Sequence, residues 1–351
     1  MEERNTPTLE GASATNHSEW PGSDLIDSTT SWKRLLEHAL WVHVPPVLIV
    51  SGTILNAITI TVLLSRKFGK ASTRILLIGL ALTDTAVLWT GLLRIWLVDY
   101  FDVDVRLLSY ISCPLHTFLT YFLIDMASWL VMLLTVERWI SVAFPLKARF
   151  ICRKKWTFAT LFCAFACLFM LNSHMLFLFR LNAEGDECGE TTTAYLDFCS
   201  DVFPWIDLIT YSGIPLLVIT VCNCSILYKL IQCQNKRKTL QNPGKNPDGW
   251  TAHAQMTSMT YMLTAVSVTF LLLTLPAAIY FIVNSSMPDE DIPVNVNEDL
   301  DVAFAVTYLS SYVNNTINFL LYCLSGTQFR REVYRMFRGV IIKGETSRSI
   351  R

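Results

Sequence analysis

The sequence has few charged residues for its length. Asp, Glu, Lys and Arg make up only 16% of its 351 residues, whereas soluble domains carry about a quarter. Hydrophobic residues make up 52% of the chain, and the mean hydropathy is +0.40. A chain of this composition has more apolar surface than a water-soluble globule buries, so an ordinary soluble fold is excluded.

The sequence also lacks an excess of one charge, since 28 Lys and Arg balance 29 Asp and Glu. A nucleic-acid partner is therefore not expected. The 10 cysteines form no paired C-x-x-C blocks, and the sequence has no H-E-x-x-H, H-x-x-E-H, G-x-S-x-G or phosphate-loop motif. Such patterns mark metal, hydrolase and nucleotide sites. The sequence thus predicts no catalytic residue, no metal and no cofactor.

Long apolar stretches are what the sequence has instead. A helix needs about 20 apolar residues to cross a bilayer. Five long stretches contain no Asp, Glu, Lys or Arg: Ala39–Ser65, Trp156–Phe179, Leu208–Tyr228, Thr251–Ser286 and Val302–Phe329. Two more stretches are apolar but contain charges inside the membrane. Asp84 and Arg94 interrupt Ile75–Val98, and Asp125 interrupts Cys113–Val136. The sequence predicts an all-α membrane protein, a bundle of seven transmembrane helices.

The loops between these stretches separate the two charge signs. Lys and Arg collect in the loops 66–74, 147–155 and 229–254 and in the tail 330–351. Asp and Glu collect in the loops 99–104, 184–207 and 289–301, with Asp207 the last of the second set. Retained cytoplasmic loops are rich in Lys and Arg. We expect a multi-pass plasma-membrane protein with its N-terminus outside and its C-terminus in the cytoplasm.

Three regions follow from this topology. Residues 1–38 form a polar extracellular tail, in which the sequon at Asn16 is expected to be glycosylated. Residues 39–329 form the transmembrane domain. Residues 330–351 form a short amphipathic cytoplasmic helix and tail, suited to lying on the inner surface of the bilayer. Its apolar residues recur at helical spacing among arginines: Phe329, Val333, Met336, Phe337 and Val340.

The third span ends in Glu137-Arg138-Trp139, which Ile140–Leu146 follow. Further characteristic residues occur in order along the spans: Asn56, Asp84, Cys113, Pro215, Phe270, Pro276, Asn318 and Tyr322. In this order on seven spans, the set resembles rhodopsin-like (class A) G-protein-coupled receptors. The resemblance covers all seven spans and implies a receptor that activates a heterotrimeric G protein.

The resemblance assigns residues to an activation switch. The expected set for G-protein coupling is Glu137, Arg138, Trp139, Asn223, Phe270, Pro276, Asn318 and Tyr322. Glu137 is expected to hold the Arg138 guanidinium in the inactive state, and Pro276 to kink the sixth span. The sequence departs from the family at two of its usual aromatic positions, where Thr274 replaces a Trp and Asn223 replaces a Tyr.

A buried polar cluster is expected at the centre of the bundle, formed by Asn56, Asp84, Asn314 and Asn318. In the family this cluster often holds a sodium ion. Here Ala127 occupies a position that is often Ser, which argues against sodium at Asp84.

The family also implies a disulfide from Cys113 to the second outer loop. Cys188 is the better partner because it leaves a strand-length segment before Pro215, and Cys199 is the alternative.

Single positions narrow the ligand class. Thr120 replaces the Asp with which amine receptors bind an ammonium group, and the seventh span has no Lys for retinal. Runs such as Leu273–Pro276 and Asn315–Phe319 resemble invertebrate FMRFamide-receptor-like neuropeptide receptors. We therefore expect a short cationic or amidated peptide. The expected ligand-binding residues are Arg94, Thr120, Tyr121, Tyr280, Phe281, Tyr308 and Tyr312.

Two intramembrane charges need partners of their own. Arg94 is expected to bind a bundle Asp or a peptide carbonyl. Asp125 is expected to bond Asn172 or His174.

Two other functions remain open at this stage. A transporter or channel also places Asp and Arg in the membrane, although no inverted repeat is visible. A constitutively active receptor, or an orphan receptor for a non-peptide ligand, is consistent with the missing Trp at Thr274. Whether the tail recruits arrestin through Thr346, Ser347 and Ser349 is also open.

Overall fold

A computed structural model of the chain describes residues 32–64, 70–239, 247–285 and 294–348. It confirms the predicted helical bundle. The long helices are α1 (Trp32–Leu64), α2 (Ala71–Phe101), α3 (Ser112–Ala143), α4 (Lys154–Leu178, interrupted after Asn172), α5, α6 (Pro247–Ser285), α7 (Val294–Ser325) and α8 (Thr327–Arg348). Helix α5 is built from the consecutive segments Thr193–Asp197, Phe198–Val202, Phe203–Leu208, Ile209–Gly213 and Ile214–Thr239.

Within the described ranges, 6 helices, α1 to α6, are long and apolar enough to cross a membrane by length and composition. Helix α7 is the predicted seventh span and packs against α1 and α6. It is more polar because three of its asparagines, Asn314, Asn315 and Asn318, are buried inside the bundle. Its apolar outer face and its position between two spans make it the seventh helix of the bundle.

Helix α1 begins at Trp32, before the predicted start of the first span at Ala39. Two ion pairs hold this extra turn against the start of α7. Lys33 Nζ lies 2.6 Å from Asp299, and Arg34 Nε donates to Glu298 at 3.0 Å. Opposite charges on neighbouring helices therefore extend the bundle beyond its apolar segment.

The segment between α4 and α5 forms a small hairpin. Strand β1 (Phe179–Leu181) pairs antiparallel with β2 (Cys188–Glu190), with Leu181 opposite Cys188. Cys188 is disulfide-bonded to Cys113 at the start of α3, with a Cα–Cα distance of 5.6 Å. The predicted pairing is confirmed with Cys188 as the partner. We call this end of the molecule the disulfide end, and the opposite end the Arg138 end.

Several acidic residues predicted in loops lie in helices instead: Asp99 in α2, Asp197, Asp201 and Asp207 in α5, and Glu298, Asp299 and Asp301 in α7. Asp207 was expected in the acidic loop 184–207, but the structure places it in the segment Phe203–Leu208 of α5. The expectation failed because α5 starts at Thr193, well before the charge-free run that begins at Leu208. Asp207 is half-buried among the helices.

Helix α8 follows α7 after a tight turn at Gly326. A Cβ at this position would lie 2.6 Å from both Met262 Sδ and the Tyr322 carbonyl oxygen, so only glycine fits the turn. Phe329 is completely buried against Tyr322, with ring centroids 5.3 Å apart. The start of the amphipathic face is thus packed on the bundle rather than on lipid.

Val333 and Met336 pack on the same buried cluster as Tyr322 and Phe329.

Several sequence-based expectations fall outside the described residues. These are the Asn16 sequon, the acidic residues 289–291, Ser349 and the side chains of Phe337, Val340, Thr346 and Ser347.

Candidate functional site

The Arg138 end holds two buried charges joined by a hydroxyl. Arg138 is 3% exposed, and its Nη2 donates to Thr73 Oγ1 at 2.5 Å. Thr73 donates to Glu137 Oε1 at 2.7 Å, and Ser72 donates to the same oxygen at 2.9 Å. The family resemblance suggested that Glu137 holds Arg138 directly. The structure instead joins them through Thr73 of α2.

Helices α5 and α6 are linked by Asn223, the residue that replaces the family's Tyr. Its Nδ2 lies 2.9 Å from Ser267 Oγ, and its Oδ1 lies 3.1 Å from the same hydroxyl. This amide and hydroxyl pair takes the place of an aromatic contact. A rotation of α6 away from α5 would have to break it.

The predicted hinge lies within α6. Pro276 has no N–H and leaves the carbonyl of Leu272 without its helical partner. Just before it, Thr274 Oγ1 donates back to the carbonyl oxygen of Phe270 at 2.8 Å. Phe270 itself is 2% exposed in the core. Thr274 therefore bonds within its own helix, at the position where the family usually has a Trp.

The last residue of the motif, Trp139, packs edge to face on Phe144 with ring centroids 5.5 Å apart. This contact lies at the C-terminal end of α3.

The central polar residues are only partly brought together. Asn318 Nδ2 donates to Asp84 Oδ2 at 2.8 Å, and both side chains are buried. Asn56 Nδ2 donates to the backbone oxygen of Asn315 at 3.1 Å. Asn314 is 4% exposed, and within the described part of the chain its Oδ1 accepts no hydrogen bond.

Ala127 packs among apolar side chains and offers no oxygen ligand. The usual sodium ligands are therefore incomplete here.

Arg94, expected to bind an anion, binds a loop carboxylate rather than a bundle Asp. Its Nε and Nη2 donate to the two oxygens of Asp104 at 3.0 and 2.9 Å. Arg106 contacts the same carboxylate, with Nη2 2.9 Å from Oδ2. Burial alone raises the pKa of Asp104, but the hydrogen bonds from both arginines outweigh it and hold the pKa well below its usual range. This cluster ties the loop after α2 to the disulfide end.

The predicted aromatic ligand residues form two groups at the disulfide end. In the first, Phe304 contacts both Tyr280 and Tyr308, with centroids 5.6 and 5.1 Å apart. Tyr308 also meets Tyr312 at 5.4 Å and Trp41 of α1 at 6.1 Å. This group lines the boundary of α1, α6 and α7. Sequence reasoning missed Trp41 and Phe304.

The second group lies along α5. Tyr121 meets Phe203 with centroids 5.6 Å apart, and Phe281 meets Trp205 at 5.9 Å. Thr120 donates to the backbone oxygen of His116 at 3.0 Å and so bonds its own helix.

Helix α2 approaches α7 closely beside the first aromatic group. The Tyr312 hydroxyl occupies the space that a Cβ on Gly91 would need. Tyr312 is 3% exposed and thus mainly a packing residue.

Asp125 has one of the two partners expected for it. Asn172 Nδ2 donates to Asp125 Oδ2 at 2.9 Å, and both side chains are completely buried. His174 instead bonds the Tyr195 hydroxyl through Nδ1 at 2.5 Å. Asp207 interacts electrostatically with Asp125. Sequence reasoning missed this second carboxylate because it assigned Asp207 to a loop, although helical spacing back from Pro215 would have placed it in α5.

Comparisons with known proteins agree with this architecture. The CX3C chemokine receptor 1 of Bos taurus is 22% identical over 291 residues, which cover 82% of this chain and 74% of that protein. The thyrotropin-releasing hormone receptor of Gallus gallus is 25% identical, with 80% and 73% covered. The FMRFamide receptor of Drosophila melanogaster is 24% identical, with 87% of this chain and 57% of that receptor covered.

A family model described as 7 transmembrane receptor (rhodopsin family) matches residues 55–322. This range runs from the first helix to the last residue of the activation motif in α7, and it covers well over half of the chain. Its members are receptors and not enzymes. The chain therefore belongs to the rhodopsin family of seven-transmembrane receptors, the class A G-protein-coupled receptors, and is a multi-pass, ligand-binding signalling receptor.

Proposed function

We propose that this receptor is activated by a short peptide with at least one Arg or Lys near the end that enters the bundle, and that it activates a heterotrimeric G protein. The observation that carries this proposal is the combination of aromatic side chains and carboxylates at the disulfide end. Such a surface suits a cation followed by an aromatic group. The lipid bilayer supports the fold, and arrestin is a further candidate partner of the tail.

The carboxylates are exposed at the hairpin and at the start of α5. The turn between β1 and β2 carries Glu184, Asp186 and Glu187, and α5 adds Asp197 and Asp201. A negative surface around a binding site attracts cationic ligands and raises their association rate. The acidic outer loops could also be the counterpart of positive-inside sorting, but Asp and Glu contribute little to topology.

The aromatic groups suit the rest of such a peptide. Tyr280 and Tyr308 are half-buried, so part of each ring remains open to a ligand. A guanidinium over such a ring gains about 0.5–2 kcal/mol. Two of the relatives are named for the thyrotropin-releasing hormone and for FMRFamide, which supports a ligand of the neuropeptide type.

The Arg138 end is proposed to face the cytoplasm and the G protein. Lys70, Lys147, Arg149 and Arg153 lie at this end, as the positive-inside rule requires of a cytoplasmic face. The residues proposed to couple ligand binding to the G protein are those of the activation motif: Glu137, Arg138, Trp139, Asn223, Phe270, Pro276, Asn318 and Tyr322. This orientation puts the disulfide in the oxidising extracellular space.

A matched set of peptides tests the proposal in cells that express the receptor. Amidated peptides ending in Arg-Phe are compared with the same peptides carrying citrulline, which keeps the shape of Arg but not its charge. Calcium and cyclic-nucleotide signals report activation, and cells without the receptor are the control. We expect responses to the Arg peptides alone. A neutral lipid or an acidic ligand that activates at nanomolar dose, with no response to any basic peptide, would overturn the proposal.

A further inference from the structure

Helices α3 and α5 contact each other at two levels near the disulfide end, where both begin. The rings of Tyr121 and Phe203 meet with centroids 5.6 Å apart. Two helical turns further along α3, Trp129 Nε1 donates to the backbone oxygen of Thr210 at 3.1 Å. These contacts fix the register of α3 against α5.

Between the two contacts, each helix carries one carboxylate. Asp125 lies one turn after Tyr121 and one turn before Trp129 on α3. Asp207 lies one turn after Phe203 on α5. Residues one turn apart share a helix face, so the register brings the two carboxylates towards each other. Their electrostatic interaction agrees with this placement.

Two oxygen atoms around Asp125, one on Asp125 and one on Asn172 of α4, receive no hydrogen bond within the described residues. Asn172 Nδ2 donates to both Asp125 Oδ2 and the Leu168 carbonyl oxygen, at 2.9 and 3.0 Å. These two bonds fix the amide orientation, because only its nitrogen can donate. Within the described residues, Asp125 Oδ1 and Asn172 Oδ1 accept no hydrogen bond, and both side chains are 0% exposed.

Such an arrangement is unfavourable in an empty bundle. A carboxylate away from water costs several kcal/mol unless it is paired. A second carboxylate nearby adds repulsion. Arg94 and Arg106 already bind Asp104, and Arg180 of β1 donates to the backbone oxygens of Leu176 and Phe179. A positively charged donor from outside the chain would satisfy the unpartnered oxygens and offset the repulsion.

We infer that Asp125 and Asp207 bind the positively charged group of the ligand between α3 and α5. The inference rests on the proposed function and names the residues that receive the charge. A guanidinium fits this site better than an ammonium, because its planar set of five N–H donors can reach acceptors on both helices. Asn172 Oδ1 provides a further acceptor beside Asp125. Asp207 is only half-buried.

This site is connected to α7. One turn after Asp207 lies Tyr211, which interacts electrostatically with Tyr308 of α7 and with both carboxylates. A cation bound by the carboxylates therefore lies next to the first aromatic group. An Arg-aromatic peptide can place its charge on the carboxylates and its ring against α7.

The first experiment measures binding without requiring activation. The melting temperature of the purified full-length receptor is recorded with L-arginine amide and with L-citrulline amide, for the wild type and for Asp125→Asn and Asp207→Asn. Asn keeps the shape of Asp and removes its charge. Asp102→Asn, which changes an exposed carboxylate in the loop after α2, is the matched control. We expect arginine amide to stabilise the wild type and the control, and neither site variant.

The second experiment uses the Arg-Phe amide peptide and its citrulline counterpart in the signalling assay. Each site variant should reduce the potency of the Arg peptide by about ten- to a hundredfold, the range expected for loss of a charged hydrogen bond. The citrulline peptide should give no response in the wild type or in either variant. A variant that fails to fold is recognised by its melting temperature without ligand. In that case, the comparison of arginine amide with citrulline amide on the wild type still tests whether the receptor binds a guanidinium.

The outcomes separate the two proposals. If the Arg peptide activates the wild type and both variants with equal potency, the site assignment is wrong and the proposed function stands. If no basic peptide activates the wild type, but arginine amide stabilises it and not the variants, the proposed function fails and the site stands. Equal stabilisation by sodium chloride, lost in the variants, would assign the site to an inorganic cation and overturn the inference. Unchanged arginine amide binding in both variants would also overturn it.

Discussion

Arg138 of α3 donates a hydrogen bond to Thr73 of α2 at 2.5 Å, although the two side chains are far apart in the sequence. The single hydroxyl proton of Thr73 points to Glu137 at 2.7 Å. Thr73 therefore accepts from the cation and donates to the anion at the same time. The contact holds the guanidinium inside the bundle, where Arg138 is 3% exposed.

Replacing Thr73 with Val should raise signalling without ligand. Val has nearly the same shape but neither donates nor accepts, so Arg138 loses its bond to α2. A hydrogen bond to a charged group is worth about 1.5–3 kcal/mol, enough to shift a two-state equilibrium about tenfold or more. Basal cyclic-nucleotide and calcium levels at matched surface expression measure the effect. Ser72→Ala is the control, because it removes a bond to Glu137 and leaves Arg138 bound. Basal signalling no higher than in that control would contradict the prediction.

Replacing Arg138 with Ala should abolish or strongly reduce G-protein activation while surface expression and ligand binding persist. The guanidinium lies at the end opposite the proposed ligand site, so its loss affects coupling rather than binding. Coupling energies between sites correspond to about 5–150-fold effects. Nucleotide exchange on the G protein and binding of a labelled peptide are measured side by side. Arg149→Ala, an exposed arginine at the same end, should behave as the wild type. Unimpaired exchange in Arg138→Ala would refute this role.

Replacing Ser267 with Ala should also raise basal signalling, by about two- to tenfold. The change removes the hydroxyl that bonds Asn223 and so loosens α5 from α6. A neutral hydrogen bond of this kind contributes about 0.5–1.5 kcal/mol. The same basal assay applies, with Ser225→Ala as control, because Ser225 bonds only its own helix at Val221. A drop in both basal and peptide-stimulated signalling would instead assign the pair to the active state.

Replacing Asp104 with Asn should lower the melting temperature at neutral pH, because Arg94 and Arg106 lose their shared anion. The pKa of Asp104 lies below its usual range when folded, so its charge stabilises the fold above its unfolded pKa of about 4. That contribution is lost as the pH falls towards the folded pKa. The difference between wild type and variant should thus be constant from neutral pH to about pH 5 and shrink below about pH 4.

Melting of the purified receptor across this pH range tests the prediction. Asp102→Asn is the matched control, since Asp102 is exposed in the left-handed region at φ 55°. Asn tolerates that conformation. A difference that grows on acidification would mean that the cluster works in another way.

The sequence was sufficient to predict the helices, and to predict residue pairs that belong to a strong family pattern. Long apolar runs with few or no charges located the spans, since lipid excludes unpaired charge. Among the cysteines, Cys188 was preferred over Cys199 as the partner of Cys113. The contact between Asp125 and Asn172 was one of two options that the sequence offered. In each case, a cysteine or a polar side chain in a mainly apolar region had few possible bonding partners.

The remaining contacts depend on helix rotation and register, which the sequence does not specify. Asp207 was assigned to a loop because acidic residues usually mark loop ends, yet α5 continues through it. Arg94 binds the carboxylate of Asp104 in the loop after α2, because that loop folds back over the bundle. The hydrogen bonds of Thr73 with Arg138 and Glu137 were not predicted, because threonine carries no charge and both partners lie on another helix.

The close approach of Tyr312 to Gly91 has a consequence for the evolution of this receptor. The space beside α2 holds either a phenol hydroxyl from α7 or a side chain at position 91, but not both. In related receptors, a larger residue at position 91 should occur with a shorter one at position 312. The two alignment columns should therefore change together, and their covariation would report this contact without any structure.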